Sequence, residues 1–358
     1  MTRIVDLPTP ALIVDRQKFD ANVATMAAVR PGLTLRPHIK AHKSTALAQE
    51  LAKVGHTAFT CATPREVIGM VQAGLGSDLL LANETVDPAR LRAMAALLNN
   101  SRITVAIDSD VTAQIAAENG IKDVLIDVNV GMPRCGVLPD RAAALAAFAV
   151  SLGLNVRGVM GYEGHLMAVA DRDEQRAKVR SAMGVLVQCF DDVRAQSGDD
   201  CTIISAGGTG TFDLYDPSDP LLALVNEVQA GSYALMDSHY GALELPFVQA
   251  LYVVGTVISV SDSWAVIDVG LKSLGMDHGN PTIEGASVWF CSDEHITFSM
   301  KDGRPLPGIG NRVLVRPAHI DPTIALHVVM HVVDKIGTGE TGMSGQVIGA
   351  WPVNLRHW

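Results

Sequence analysis

Eight short apolar runs recur along the first two thirds of the chain, and helix-like stretches follow most of them. The runs are 34–40, 57–63, 77–83, 102–108, 122–131, 155–165, 201–210 and 226–237. A buried strand that alternates with an amphipathic helix is typical of parallel βα units. Eight such units over roughly 200 residues predict a closed (β/α)8 barrel rather than an open sheet. The polar residues that end the runs should meet at one mouth, because the chemistry of a barrel lies at the carboxyl ends of its strands.

The segments between the runs have the apolar spacing and end signals of helices. They include STALAQELAKVG after the first run, PREVIGMVQAG after the second, and a longer helix predicted over 171–196. Only 213–225 has a weak helix signal, because Pro217 and Pro220 interrupt it. From about residue 246 apolar and polar residues alternate, which is typical of antiparallel strands. We therefore predict a barrel over 16–245 and a β domain over 246–358, joined by the N-terminal segment 1–15.

Composition and charge narrow the class of protein. The chain has 358 residues and a formal charge of −10, which disfavours nucleic acids and anionic membranes as partners. It begins without the basic and apolar stretches of a signal peptide, and no apolar run is long enough to cross a bilayer. No CxxC pair occurs among the cysteines, so we predict reduced structural thiols in a cytoplasmic protein. The cysteines are Cys61, Cys135, Cys189, Cys201 and Cys291.

The first run ends in PHIKAHK and carries a candidate reactive lysine. If this segment is a strand, Lys40 points into the mouth with His38 and His42 on the same face, while Lys43 lies on the opposite face. Polar neighbours and partial desolvation favour the neutral amine that a Schiff-base lysine needs. Lys40 is therefore a candidate for covalent catalysis, with His38 as a candidate catalytic neighbour.

Two loops rich in glycine and hydroxyl side chains follow the seventh and eighth runs, where barrels commonly bind phosphate. Their residues are Gly207, Gly208, Thr209, Gly210 and Thr211 in the first loop, and Gly231, Ser232 and Tyr233 in the second. No GxGxxG follows the first strand, which disfavours a dinucleotide site. An imine-forming lysine opposite a phosphate site meets the requirement for pyridoxal phosphate.

Further polar residues end the fifth and sixth runs. Arg134 is placed to hydrogen-bond the phenolate oxygen of such a cofactor. Tyr162, Glu163 and His165 end the sixth run; we expect one of them to contact the cofactor ring and another to relay protons.

An HxD motif in the β domain is a candidate metal site. His319 and Asp321, two residues apart on a predicted strand, would face the same side and could share one metal ion. His327 and His331 fit sheet faces better and are predicted to be structural.

The motifs PHIKAHK, VGMPRCGV, SAGGTGTF, VQAGSYALMD and PAHIDPT together resemble the D-threonine aldolase and D-serine dehydratase group of pyridoxal-phosphate enzymes. The resemblance runs from about Thr9 to Trp358 and implies the alanine-racemase-like fold, a barrel plus a β domain, in a homodimer. It implies that Lys40 binds the cofactor, that Arg134 and the two loops contact it, and that His319 and Asp321 hold a divalent metal. Dehydratases of this group usually carry His-x-Cys where aldolases carry His-x-Asp, so Asp321 favours an aldolase. An oxygen ligand favours Mn²⁺ or Mg²⁺, with Zn²⁺ as an alternative.

The resemblance implies cleavage of D-3-hydroxy amino acids, such as D-threonine, to glycine and an aldehyde. The spacing of Tyr162 and His165 departs from the pattern of the group, so the base that takes the β-hydroxyl proton is left open between His165 and a metal-bound hydroxide. A dehydratase or racemase on the same cofactor is the alternative enzyme. A pyridoxal-phosphate carrier without enzymatic activity would not need the β domain. A metal hydrolase that uses His38 and His42 would leave the glycine loops unexplained.

Overall fold

The computed structural model describes residues 2–339 and 342–357; Met1, Glu340, Thr341 and Trp358, which fall in the predicted N-terminal segment and β domain, lie outside the described residues. The helices are α1 (Arg16–Val29), α2 (Thr45–Lys53), α3 (Pro64–Gln72), α4 (Pro88–Ala95), α5 (Asp110–Glu118), α6 (Ala142–Ser151), α7 (Arg172–Ser197) and α8 (Ile320–Ala325). The strands are β1 (Ala11–Asp15), β2 (Ala58–Cys61), β3 (Asp78–Leu81), β4 (Arg102–Ile107), β5 (Asp123–Asp127), β6 (Asn155–Met160), β7 (Ile203–Ala206), β8 (Glu227–Val228), β9 (Leu251–Val260), β10 (Ala265–Ile267), β11 (Thr282–Ile283), β12 (Ala286–Cys291), β13 (Ile296–Met300), β14 (Arg312–Arg316), β15 (Val329–Val333), β16 (Gly337–Gly339), β17 (Gly342–Ser344) and β18 (Val347–Pro352).

The chain divides into two compact units. One comprises residues up to Met26, 41–47 and 232–356; the other comprises 27–40 and 48–231. The unit that contains 48–231 is a parallel sheet in the order β2 to β8, with helices between successive strands. Its strands are largely apolar because both faces are covered, and Leu80, Ala106, Leu125 and Met160 form a core cluster inside the sheet.

The first predicted strand is replaced by a shorter connection. Leu35 and His38 make isolated parallel bridges to Val228 and Thr60, so the run links β8 to β2 without forming a regular strand. Pro37 has no N–H to offer, and its carbonyl accepts the N–H of Thr60 at 3.0 Å. The prediction of a strand over 34–40 was therefore too long: the chain turns into a one-turn 3-10 helix at Ile39–Ala41.

Side-chain caps mark the first residues of two helices. Thr63 accepts the N–H of Glu66, and Pro64 fills the first position of α3. Asp171 caps α7 by accepting the N–H groups of Asp173 and Glu174, which confirms the long helix predicted here within a residue. Of the weak segment 213–225, only Leu222–Leu224 is helical, as a 3-10 turn.

A buried ionic network, which the sequence pattern did not indicate, lies at the amino ends of the barrel strands. Arg36 is ion-paired with Glu227 at 2.7 Å and with Asp78 at 3.2 Å, and Arg157 pairs with Asp78 at 2.7 Å. Because each charge has an opposite partner and further hydrogen bonds, the network can remain buried. It lies opposite the mouth, so it contributes to closure of the barrel rather than to its chemistry.

The other unit is built on a mixed sheet whose main path runs β12-β13-β10-β9-β1-β15-β18. The N-terminal strand β1 lies inside this sheet, antiparallel to β9 and parallel to β15. Ile13, Tyr252, Val254 and Val333 are buried together on it. Within the described residues no helix is both long enough and apolar enough to span a membrane.

Candidate active site

Lys40 lies at the carboxyl end of the bridged run, in the turn Ile39–Ala41, and is half-buried. The turn corrects the prediction that His38, Lys40 and His42 share one strand face, because alternation holds only in extended chain. The backbone N–H of Lys40 instead donates to Nδ1 of His38 at 3.4 Å. The lysine is thus fixed at the mouth by its turn.

His42 is not a cationic neighbour of the lysine. Its side chain is buried, and its Nδ1 accepts the N–H of Ser44 at 3.1 Å. Burial, with the charge of Lys43, lowers the pKa of His42 to about 3. The imidazole is therefore neutral near pH 7 and places no positive charge beside Lys40.

Two cationic side chains converge on the ring of Tyr162. Nζ of Lys40 lies 5.8 Å from the ring centroid, and Cζ of Arg134 lies 5.2 Å from it. Arg134 comes from the loop between β5 and α6, and Tyr162 from the end of β6. The structure therefore brings together three residues that lie far apart in the sequence.

His165 is exposed beside the Arg134 loop. A Cβ on Gly131 would lie 3.3 Å from Cε1 of the His165 ring, and Gly131 has a φ of +120°, which favours glycine. The loop can approach the ring closely because residue 131 has no side chain. His165 thus lies beside the loop that carries Arg134.

Glu163 is hydrogen-bonded to the chain that follows β7. Its buried carboxylate accepts the N–H of Gly207 at 3.2 Å, the hydroxyl of Thr211 at 2.8 Å and the hydroxyl of Tyr215. Of the three residues that end the sixth run, Glu163 is therefore the one that holds a loop.

The loop 207–211 is held tightly around its glycines. Gly207 has a φ of +80°, and a Cβ on Gly210 would come within 2.1 Å of the carbonyl oxygen of Met167. Nη1 of Arg172 donates to the Gly210 carbonyl at 3.0 Å. The N–H of Gly207 and the hydroxyl of Thr211 are engaged by Glu163 in this structure. The second loop continues from Gly231 into a 3-10 turn at Ser232–Ala234, where the ring of Tyr233 is buried.

A carboxyl pair near Arg134 was not predicted from the sequence. Asp127 ends β5, and Glu84 follows β3. Burial, together with the charge of Glu84, raises the pKa of Asp127 to about 8, while the charge of Arg134 acts in the opposite direction. The hydrogen bond to Glu84 raises the pKa of Cys135 to about 11, so this thiol is not a nucleophile near pH 7. The sequence feature that could have indicated this pair is an acidic residue at or shortly after the ends of strands β5 and β3.

The raised pKa of Asp127 gives a testable pH dependence. Since folded protein keeps the proton that unfolded chain releases above its ordinary pKa of 3.8, stability falls as the pH rises toward about 8. In cofactor-free protein, Asp127→Asn should reduce the loss of melting temperature between about pH 5 and pH 8, because asparagine does not titrate. Asp110→Asn, on the exposed start of α5, is the control. An unchanged pH dependence in Asp127→Asn would contradict the assignment.

His319 and Asp321 meet by a different geometry from the one predicted. They do not share a strand: His319 precedes α8 and Asp321 lies in its first turn. Nε2 of His319 nevertheless lies 3.8 Å from Oδ1 of Asp321. This Oδ1 atom is buried and has no hydrogen-bond partner among the described residues. An orphaned carboxylate oxygen beside an imidazole nitrogen suits a divalent cation.

Asp277 and His278 complete the surroundings of His319 and were missed in the sequence. Oδ2 of Asp277 lies 2.6 Å from Nδ1 of His319, and the ring of His278 stacks on that of His319 at 4.0 Å. Asp277, His278 and His319 offer ligand atoms close enough to hold one metal ion. An isolated bridge between Gly275 and His319 brings the segment 275–278 next to His319. The adjacent Asp277 and His278 are the sequence feature that could have indicated these ligands.

His327 and His331, which were predicted to be structural, lie outside the cluster around His319. Nε2 of His327 lies 2.9 Å from the carbonyl oxygen of Ser273. His331 lies within β15, paired with Ile13 and Ala350. Neither residue joins the cluster around His319.

Comparisons with known proteins show which families the chain resembles over nearly its whole length. Residues 14–239 match the family model "Alanine racemase, N-terminal domain", and residues 250–333 match "Putative serine dehydratase domain". A D-threonine aldolase from Arthrobacter sp. is 34% identical over 97% of this chain and 92% of its own length. A 3-hydroxy-D-aspartate aldolase from Paracoccus denitrificans is 27% identical over 98% of this chain and 92% of its own.

A solved structure extends the likeness to three dimensions. The crystal structure of D-threonine aldolase from Filomicrobium marinum superposes with a TM-score of 0.88 at 33% identity, covering 99% of this chain and 97% of that one. The chain belongs to the D-threonine aldolase and D-serine dehydratase family. Members of this family are pyridoxal-phosphate-dependent lyases with the alanine-racemase-like fold. The predicted fold and family are confirmed.

Proposed function

We propose that the protein is a pyridoxal-phosphate- and divalent-metal-dependent aldolase that cleaves D-3-hydroxy amino acids of the D-threonine type to glycine and an aldehyde. The observation that carries the proposal is the pairing of Asp321 with His319: an oxygen ligand stands where the dehydratases of the group usually have a thiol. The 34% identity to a D-threonine aldolase supports it.

The residues at the barrel mouth fit the cofactor. Lys40 would hold it covalently, Tyr162 offers a ring close to both the lysine and Arg134, and the loops at 207–211 and 231–233 would bind its phosphate. Arg134 would hydrogen-bond the phenolate oxygen. When bound, pyridoxal phosphate supplies an electron sink for the breaking Cα–Cβ bond.

The residues around His319 fit a divalent metal. The 2.6 Å contact with Asp277 favours a proton on Nδ1 of His319, which leaves the lone pair of Nε2 on the side of Asp321. A metal ion at Nε2 and Oδ1 of Asp321 would act as a Lewis acid toward the β-oxygen of the substrate. Oxygen donors favour Mn²⁺ or Mg²⁺ over Zn²⁺.

We assign the removal of the β-hydroxyl proton to His165. Its imidazole is exposed beside the loop that carries Arg134, and Gly131 leaves room for it. His38 is less suited, because its Nδ1 already accepts the backbone N–H of Lys40.

A panel of substrates tests the proposed function. Purified protein with pyridoxal phosphate and Mn²⁺ should release aldehyde from D-3-hydroxy amino acids and little from their L enantiomers. Ammonia, assayed separately, should not accumulate. Ammonia and a 2-oxo acid without aldehyde would identify a dehydratase, and inversion at Cα alone would identify a racemase; either result would contradict the proposal.

A further inference from the structure

Glu163 is a buried carboxylate that receives three hydrogen bonds from one stretch of chain. Oε2 accepts the N–H of Gly207, while Oε1 accepts the hydroxyls of Thr211 and Tyr215. Burial, with the charge of Glu163, raises the pKa of Tyr215 well above its ordinary value, so the phenol remains a neutral donor. Both ends of the loop 207–211 and the chain beyond it are therefore attached to one side chain, which lies three residues beyond the end of β6.

The attachment extends to the inner residues of the loop. The hydroxyl of Thr211, which donates to Glu163, in turn accepts the N–H of Gly208 at 3.3 Å. Arg30 holds the far end, since its guanidinium donates to the carbonyl oxygens of Phe212 and Tyr215. The loop thus has little freedom to change the directions of its backbone N–H groups.

We infer that Glu163 is a positioning residue for the cofactor's phosphate: from behind the loop, its carboxylate fixes the backbone that binds the anion. The inference rests on the proposed assignment of loop 207–211 to the phosphate. The carboxylate itself does not face the phosphate, because its two oxygens are occupied by the loop's own donors. Its contribution is to select one loop conformation before the anion arrives, which reduces the cost of ordering on binding.

Glu163→Gln isolates this contribution. An amide that keeps its oxygen at the Oε1 position still accepts from Thr211 and Tyr215, but its NH₂ group then faces the N–H of Gly207, donor against donor. The bond to Gly207 is lost while the volume of the side chain is preserved. Glu66→Gln is a matched control, since Glu66 is also a buried carboxylate after a barrel strand and accepts a backbone N–H, that of Ala62, at 2.6 Å.

The experiment compares dissociation constants for pyridoxal phosphate and for pyridoxal, which lacks the phosphate, on cofactor-stripped full-length protein. The ratio of the two constants reports the phosphate contribution and is insensitive to a general loss of stability. We expect Glu163→Gln to reduce the preference for the phosphorylated form about tenfold and Glu66→Gln to leave it unchanged. Tyr215→Phe, which removes one donor, should reduce it by a smaller factor.

A wild-type preference in Glu163→Gln would overturn the inference. If Glu163→Gln does not fold, Tyr215→Phe decides in the same way: a reduced preference supports the positioning role, and an unchanged one refutes it. A wild-type protein that binds pyridoxal as tightly as pyridoxal phosphate would instead overturn the assignment of the loop to phosphate, and the inference with it.

Discussion

Lys40→Ala is expected to abolish covalent attachment of pyridoxal phosphate and to lower the rate of aldol cleavage on the order of 10³-fold or more. The reason is that Lys40 is the lysine whose Nζ lies over the Tyr162 ring, beside Arg134. Borohydride reduction of the wild-type protein, followed by peptide mass spectrometry, should place the pyridoxyl group on the peptide that contains Lys40.

Lys43→Gln is the matched control for this prediction. Lys43 lies three residues further along and has a φ of +46°. This variant should retain the cofactor and most of the activity. Labelling of Lys43, or a Lys40→Ala protein that still carries reduced cofactor, would show that the barrel lysine has been misassigned.

Removal of the metal site is expected to have the second largest effect. His319→Ala or Asp321→Ala should lower the rate by about 10²-fold or more, since even outer-shell partners of metal ligands are worth 10- to 100-fold. The absorbance of lysine-bound cofactor should persist, because Lys40 is unchanged. Calorimetric titration with Mn²⁺ measures the site independently of activity.

Chelation of the wild-type protein and a control variant separate loss of the metal from other effects of the substitutions. Exhaustive chelation of the wild-type protein should reproduce the loss seen in the variants, and added Mn²⁺ should restore it only in the wild type. Glu284→Gln, an exposed carboxylate that pairs with Arg316 on β14, should bind Mn²⁺ normally. Full activity after chelation would contradict the metal role of His319 and Asp321.

The periodicity of the sequence predicted the barrel because its signal is repeated in every βα unit. Runs such as 102–108 and 122–131 became β4 and β5, since consecutive apolar residues are stable only when a strand is covered on both faces. The same rule failed at 34–40. There Pro37 interrupts the hydrogen-bonding pattern, and the chain turns at Ile39. The proline and the turn therefore prevented a regular strand although the run is apolar.

The candidate site was predictable to the extent that its residues lie at strand ends. The structure brings Lys40, Arg134 and Tyr162 together, as expected for residues that follow the carboxyl ends of barrel strands. The partners of His319 were not predictable, because Asp277 reaches it from an irregular segment 42 positions away in the sequence. The orientation of Glu163 was equally unpredictable, because this residue lies beyond the end of β6, where the alternation of a strand does not apply. Only the folded chain shows the donors around its carboxylate.

The most direct test of the aldolase function is to follow the Cα–Cβ bond of the substrate. Uniformly ¹³C-labelled D-threonine, incubated with the protein, pyridoxal phosphate and Mn²⁺, should lose the one-bond coupling between Cα and Cβ in the ¹³C spectrum. Labelled glycine and labelled acetaldehyde should appear in equal amounts. Retention of that coupling in a 2-oxo acid or in L-allo-threonine, the product of inversion at Cα, would show that the Cα–Cβ bond is not cleaved and would contradict the aldolase function.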